Sequence, residues 1–569
     1  MKLLPHCYCL LLAGLWPACL AAQVPFTDMT DSAGIAHQFR VYEGMFGGGA
    51  CIFDLNRDGF EDFFVTGGMN EDQLYLNQGD GTFRNIYAGS GLERTRAFVT
   101  QGAVSADVNR DGWVDLFVTT ITWKDSGKII PRAPNLLFLN NGDHTFRDVS
   151  ADWGLLPLNS FSTGANFGDI DADGWPDLYV GNYFLEYEGD LTYISDATIA
   201  GANQTAKGYL LRNEQGQGFR DVYAEYGLQH RGFGFGGVFT DYDNDGDQDL
   251  IVHHDFGYKA VPSFLYENRY PRKRFADVSE KTGMDLKINA MGAAGGDFNE
   301  DGYLDYFITN IRFNRFMLSQ GRRAPYAERH KELGMTVVSI GWGANFADFD
   351  HDGDLDLFVS NGDLNPYCTP MGDFYYENEG NGVLTEKGRA YGLNDYGIGR
   401  GSVVFDYDND GDLDLLVVNQ KAVQEGYPVP SVTRLFRNDL ARGSWLKIAL
   451  RGRQAESHGL GSRVTVVAGR RRMIREIDGG GSSHLSQNSV IAHFGLGSAS
   501  VADSIIVTWT GGKRQILTAQ PVNTLLTIEE AERGEPQGLP GWLAPALATL
   551  GLLALAGAAA WLRLRRRRA

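Results

Sequence analysis

The sequence predicts an all-β protein: a seven-bladed β-propeller, then a small β-sandwich-like domain and one C-terminal transmembrane helix. Three observations carry this expectation. An acidic stretch, DYDNDGDLDL from Asp406 to Leu415, has close copies at seven places. Each interval between copies, from 51 residues (Asp297 to Asp348) to 72 (Asp169 to Asp241), holds about four short strand-like runs. Near the C-terminal end, Trp542 to Leu562 is 21 residues without a charge.

The copies are DLNRDGFED at Asp54, DVNRDGWVD at Asp107, DIDADGWPD at Asp169, DYDNDGDQD at Asp241, DFNEDGYLD at Asp297, DFDHDGDLD at Asp348 and DYDNDGDLD at Asp406. Positions 1, 3, 5 and 9 always carry a carboxylate or amide oxygen, and position 6 is always Gly. A hard cation such as calcium takes six to eight oxygens at about 2.3 to 2.6 Å, which alternate residues of a tight loop can supply. The glycine permits the turn. An EF-hand would need Glu at position 12 and flanking helices. Here the loops run instead into strand-like LFVTT, LYVGN, LIVHH and LLVVN.

These loops resemble the calcium loops of FG-GAP repeats, as in integrin alpha chains, and the resemblance implies calcium as cofactor in an integrin-alpha-like propeller. The implied side-chain ligands of the first three loops are Asp54, Asn56, Asp58 and Asp62; Asp107, Asn109, Asp111 and Asp115; and Asp169, Asp171, Asp173 and Asp177. The next two supply Asp241, Asp243, Asp245 and Asp249, then Asp297, Asn299, Asp301 and Asp305. The last two supply Asp348, Asp350, Asp352 and Asp356, then Asp406, Asp408, Asp410 and Asp414. The loops with Asn at position 3 carry less charge and are expected to bind more weakly.

Taken in order, residues 1–22 read as a signal peptide, with Lys2, an apolar run and small residues from Ala18 to Ala22. Residues 23–440 form the propeller. Between loops a strand ending in Asn precedes a Phe-x-Asp element, as in FRDVSADWGL at Phe146. The expected mature chain opens with such an element at Phe26 and lacks one after the seventh loop. The N-terminal strand is therefore expected to complete the last blade and leave no open edge. Long insertions at Thr120 to Asn135, Tyr183 to Gly208 and Gly362 to Asp373 share one topological position. They are expected to present Trp123, Tyr183, Phe184, Tyr187, Tyr193 and Tyr367 as a partner-binding face.

Residues 441–530 change to alternating strands and resemble the ASPIC/UnbV domain of proteins similar to cartilage acidic protein. The resemblance rests on Gly459-Leu460-Gly461, Arg475-Glu476-Ile477-Asp478-Gly479, Leu485-Ser486-Gln487-Asn488, His493-Phe494-Gly495-Leu496-Gly497 and Trp509-x-Gly511-Gly512-Lys513. His484 and His493 are read as structural before they are read as ligands or bases. A linker spans 531–541. Residues 542–562 are read as a transmembrane helix or clipped sorting signal, and 563–569 as a basic cytoplasmic tail that places the body outside.

Gly at 72 residues and aromatics at 12% suit an all-β chain with many turns. The formal charge of −20 owes much to the loops, since their ligand positions alone hold 25 of the 71 acidic residues. No basic stripe appears outside the C-terminal tail, so nucleic acid is not an expected partner. Cys51 and Cys368 are either one disulfide or two buried thiols. The leading functional expectation is a calcium-binding, membrane-anchored, extracytoplasmic adhesion protein that recognises a protein or glycan. The alternatives are a propeller enzyme acting on polysaccharide or another extracellular substrate, and a spacer presenting the C-terminal domain.

Overall fold

The computed structural model describes residues 24–532 apart from 43–46, 124–128, 131, 157, 159, 185–186, 189–204, 366, 381–382, 441 and 482, and gives backbone alone at 129–130 and 187–188. The segment expected to be a signal peptide, with Cys7, Cys9 and Cys19, and the apolar run with its basic tail lie outside the described residues. Among those described, no helix is long and apolar enough to cross a membrane. Among the described residues helix is confined to Glu93–Ala97, Ser279–Thr282 and Gly388–Tyr391.

Among the described residues seven antiparallel sheets follow one another, six of them four-stranded and the sixth in order five-stranded, with Ile311–Arg312 added beside Ser339–Ala347. The second is typical: Val99–Ala106, Asp115–Ile121, Leu136–Asn140 and Phe146–Asp148, paired in that order. Its first two strands are buried along their whole length, which explains why they read as apolar runs rather than alternating ones. In every sheet the acidic loop joins the first strand to the second, and its position-9 Asp opens the second strand.

The last sheet combines Ile398–Phe405, Asp414–Gln420 and Arg434–Asn438 with the N-terminal Phe26–Asp28, Phe26 pairing with Asn438. The edge left open by the missing Phe-x-Asp element is thus covered by the chain's own start. That sheet also abuts the first: Asn77 Nδ2 donates to the Tyr407 carbonyl at 2.7 Å and Asn409 Nδ2 to the Gly59 carbonyl at 2.9 Å. Hydroxyls just past the second strands fasten neighbouring sheets. Thr66 Oγ1 lies 3.0 Å from Gly49 O and 3.2 Å from Gln101 O, and Thr309 Oγ1 lies 3.2 Å from Gly292 O and 2.9 Å from Trp342 O. The arrangement is propeller-like.

The C-terminal domain packs two sheets around Leu446, Ile448, Val464, Phe494, Ile505, Val507 and Trp509. One is Ala492–Gly497, Ser444–Arg451 and Leu525–Glu529, the last pair parallel. The other is Arg471–Glu476, Arg463–Ala468, Val501–Thr508 and Arg514–Pro521.

From this domain the segment Gly479 to Asn488 enters the space between the first strands and touches all seven sheets. Gln487 bonds to Ala50, Ile52 and Ser105, Gly479 O accepts from Phe167 N at 2.9 Å, and Asn488 Oδ1 accepts from Val404 N at 3.0 Å. Ser483 meets Ser402 at 3.1 Å, and His484 packs on Phe235 and Trp342 with Nδ1 3.0 Å from Met291 O. Glycine is required where the segment passes closest: a Cβ on Gly49 would stand 2.0 Å from Leu485 O, and one on Gly401 would stand 2.2 Å from Ser486 Oγ.

Candidate metal centres

The seven loops share one backbone course. Position 4 (Arg57, Arg110, Ala172, Asn244, Glu300, His351, Asn409) is left-handed, with φ from 51° to 61°, and the position-6 glycines have φ from 86° to 101°. The glycine N–H donates to Oδ2 of the first Asp at 2.9 to 3.2 Å in every loop. The last Asp is the anchor. Its Oδ2 accepts from the position-2 N–H, as Asp62 does from Leu55 at 2.8 Å and Asp414 from Tyr407 at 3.1 Å. Its Oδ1 accepts from the N–H that ends the third strand, at 2.7 to 2.9 Å: Asn77, Asn140, Asn213, Asn268, Ser319, Asn378 and Asn438.

Those asparagines are site residues that ligand spacing does not reveal, though the recurrent LYLN, LLFLN and LFRN endings display them. Their side chains lock the preceding sheet's loop, as when Asn140 Nδ2 donates to Leu55 O at 3.1 Å and Asn438 Nδ2 to Phe349 O at 2.8 Å.

Carboxylates converge in four of the loops. Asp169, Asp171 and Asp177; Asp241, Asp243 and Asp249; Asp348, Asp350 and Asp352; and Asp406, Asp408 and Asp414 each bring ligand oxygens within 4.8 Å of one another. Asp243 and Asp245 form a further group with Glu267, a buried third-strand residue outside the loop motif. Burial pushes Asp62, Asp169, Asp305 and Asp348 up to about 8 and holds Asp115, Asp177, Asp249, Asp356 and Asp414 well above the ordinary carboxylate value. Asp247 and Asp412, at position 7, rise to about 8 and about 7 through burial and then Asp245 and Asp410 beside them.

Several of these oxygens are buried without a hydrogen-bond partner: Oδ1 of Asp107, Asp297, Asp348 and Asp406 at position 1, and Oδ1 of Asp171, Asp243 and Asp408 at position 3. Buried acceptors are normally satisfied, and these point to a missing positive partner. The donor set, all oxygen with no Cys or His, suits a hard divalent cation. The loops with Asn56, Asn109 and Asn299 form no such three-carboxylate group among the described residues.

The C-terminal domain lies over these loops and brings cations to them. Lys447 Nζ is 2.7 Å from Asp406 Oδ2, Arg463 Nη2 is 2.7 Å from the Asp241 carbonyl, and Arg471 Nη1 is 2.9 Å from Asp354 Oδ1. Residues 441–530 hold 11 Lys and Arg against six Asp and Glu, in a chain whose net charge is −20. His493 Nε2 is 2.8 Å from the Gly411 carbonyl, and burial holds both His484 and His493 neutral, so both serve structure.

The aromatic face is corrected. Tyr183 and Phe184 are buried, at 0% and 1% exposure, in a cluster with Phe161, Phe233 and Phe235, and the Tyr183 hydroxyl donates to Asp255 Oδ2 at 2.5 Å. Their runs are apolar because they pack, not because they await a partner. Trp123 and Tyr367 are exposed, at 37% and 77%. The side chain of Tyr187 and the whole of Tyr193 lie outside the described residues. Cys51 and Cys368 are buried free thiols.

Two family models match the chain: an FG-GAP-like repeat over residues 54–118, 107–180, 297–359 and 348–417, and ASPIC and UnbV over residues 452–535. Cartilage acidic protein 1 of Mus musculus is 25% identical over 505 residues, covering 84% of this chain and 73% of that protein. The Homo sapiens protein of the same name is 25% identical over 509 residues, covering 84% and 71%. Among solved structures, an Agrocybe aegerita protein described as recognising non-reducing terminal N-acetylglucosamine is similar at 16% identity, with a TM-score of 0.37, over 70% of this chain and 92% of that one. With repeats and terminal domain in the order the fold displays, the chain carries FG-GAP-like repeats followed by an ASPIC and UnbV domain and is similar over most of its length to cartilage acidic protein 1.

Proposed function

We propose that this chain is an extracellular calcium-loaded binding protein: the seven sheets act as the blades of one closed propeller, calcium in the acidic loops holds it together, and the face away from the C-terminal domain takes an extracellular protein or glycan. The observation that carries the metal reading is the set of buried carboxylate oxygens left without partners where three acidic side chains converge. Calcium fits better than a transition metal because every candidate donor is oxygen. The proposal includes Trp542 to Leu562 as the anchor, on its length and the basic residues that follow.

The division of faces supports the partner reading. The loop side is covered by the C-terminal domain, whereas the insertions emerge from the other ends of the second strands. There Trp123 stacks edge-on against Tyr42 at 5.2 Å, and Tyr367 is exposed. Exposed aromatic rings give large contact area at low entropy cost. The test is an array of glycans and extracellular proteins probed with the purified chain in calcium and in chelator. Capture is expected in calcium alone, and Trp123→Ala with Tyr367→Ala is expected to remove it at unchanged calcium content. Capture that survives both the chelator and the double substitution contradicts the proposal.

A further inference from the structure

Between the first two loops and the C-terminal domain lies a cavity of about 280 Å³ with mostly apolar walls, among them Ile52, Phe53, Ala106, Leu450, Leu460 and Ile491. Its volume is near the lower end for small-molecule sites, which combine apolar walls with a few placed polar groups.

The polar group here is anomalous. Position 8 of the acidic loop is Val114, Pro176, Gln248, Leu304, Leu355 and Leu413 in six repeats, and Glu61 in the first. Val114 lines the same cavity, and Leu304, Leu355 and Leu413 line a smaller one of about 130 Å³ under the same domain, so this position turns toward the domain junction. Glu61 is 6% exposed and lines the larger cavity. Its Oε1 accepts from Ser489 Oγ at 2.6 Å, while Oε2 takes no hydrogen bond from any described residue. No Lys, Arg or His nitrogen of the described residues is within ion-pair distance of it. Lys447, whose charge bears on Glu61, is held by Asp406 Oδ2 at 2.7 Å and Asn409 Oδ1 at 2.9 Å. A buried carboxylate without a cation is costly, so a ligand that supplies one gains affinity from it.

The rim has the opposite sign. Arg57 and Arg451 line the cavity, both are exposed, and neither is in an ion pair with a described carboxylate. The Arg57 guanidinium lies 3.9 Å over the Trp113 ring, which holds it in place. Asp54, also on the wall, belongs to the first loop's candidate metal set. A bare metal ion is a poor occupant, because apolar walls cannot supply its oxygens.

We propose that this cavity binds a small zwitterion with an apolar middle, its ammonium group on Glu61 and its carboxylate at the rim toward Arg57 and Arg451. The apolar middle lies against Phe53, Leu450 and Ile491. The probe is 6-aminohexanoate, compared with hexylamine and hexanoate by titration calorimetry on the full chain in calcium.

The expected order is 6-aminohexanoate, then hexylamine, with no binding of hexanoate at millimolar concentration. Glu61→Gln keeps an acceptor for Ser489 and is expected to weaken 6-aminohexanoate by about tenfold or more, the size of one charge-assisted hydrogen bond. Its melting temperature and calcium content show whether the variant has folded. Arg451→Gln, on the exposed rim, keeps the test available if that variant does not fold, and is expected to weaken 6-aminohexanoate while leaving hexylamine unchanged. Absence of 6-aminohexanoate binding, hexanoate binding as tightly, or Glu61→Gln without effect in a folded variant overturns the proposal. Hexylamine binding as tightly as 6-aminohexanoate overturns the role given to the arginines.

Discussion

Two kinds of acidic loop stand side by side on one scaffold, and their difference shows what the third position does. In the loops beginning at Asp54, Asp107 and Asp297, the Asn amide nitrogen donates to the carboxylate of position 5 at 2.8, 2.9 and 3.1 Å. There the third position is satisfied within the loop, although Oδ1 of Asp107 and Asp297 at position 1 still lacks a partner. In the loops beginning at Asp169, Asp241, Asp348 and Asp406 that donor is replaced by a third carboxylate, and Oδ1 of Asp171, Asp243 and Asp408 is left buried without a partner. The two sets differ at position 3: one closes it with its own amide, whereas the other leaves a carboxylate oxygen open there, even in the loop whose Asp243 and Asp245 already pair with Arg323.

The largest effect that would break this comparison is metal removal. A cation that binds only the folded state stabilises it by mass action, so chelator should lower the melting temperature of the whole chain steeply. The loss should also depend on pH. Asp169 and Asp348 are raised from 3.8 to about 8, mainly by burial. A group whose folded value is raised contributes stability fully below its unfolded value and loses it as pH rises through the folded one. In chelator the melting temperature should therefore fall between pH about 4 and about 8. Saturating calcium should abolish that slope, and a melting temperature indifferent to chelator across the range would remove the basis of the comparison.

Next in size is the clamp on the seventh loop. Lys447→Met leaves Asp406 buried beside Asp408 and Asp410 without its ammonium partner. Breaking a buried pair by removing one partner costs about 3 to 5 kcal/mol. The full cost is expected in chelator and a smaller one in calcium, which supplies the missing charge. Equal costs in both, measured by denaturant unfolding, would mean that the loop does not take the ion.

Asp414→Ala probes what the two sets share. It strips the acceptor from the Tyr407 and Asn438 amides, both buried, at about 1 to 3 kcal/mol for each unsatisfied group. Asp62→Ala is expected to cost the same in chelator, because Leu55 and Asn77 use Asp62 in the same way.

The smallest effect, and the sharpest, is an exchange at position 3. Asp408 is raised to about 6 by burial and then by Asp410 and Asp406. Asp408→Asn should raise the melting temperature in chelator at pH 7 and weaken one calcium site, while Asn299→Asp should do the reverse in both respects. Calorimetric calcium titrations paired with melting curves in chelator would read the two signs.

Much of this was legible in the residues. The loops, their strands, the closure by Phe26 and the terminal domain follow from spacing and periodicity, since each is set by short-range geometry. What remained hidden depends on contacts distant in sequence. Tyr183 and Phe184 sit in an insertion, where aromatic residues read as display, yet Phe161, Phe233 and Phe235 from other strands enclose them. Glu267 lies outside the nine-residue motif and reaches Asp243 and Asp245 only because the third strand runs beside the loop. The Gly479 to Asn488 segment carries the resemblance to the ASPIC/UnbV domain, and nothing local tells that it passes between the sheets. The asparagines ending the third strands were visible as a pattern, but their role needed the register.

The central claim, that four loops are built around a cation and three tolerate one, is tested most directly by counting calcium. The metal-stripped chain, titrated with calcium at neutral pH and analysed by mass, should show two classes of site. Four tight sites should fill first, at the loops where carboxylates converge, followed by weaker ones at the Asn loops. A single class of site, or fewer than three ions bound at saturation, would contradict the account.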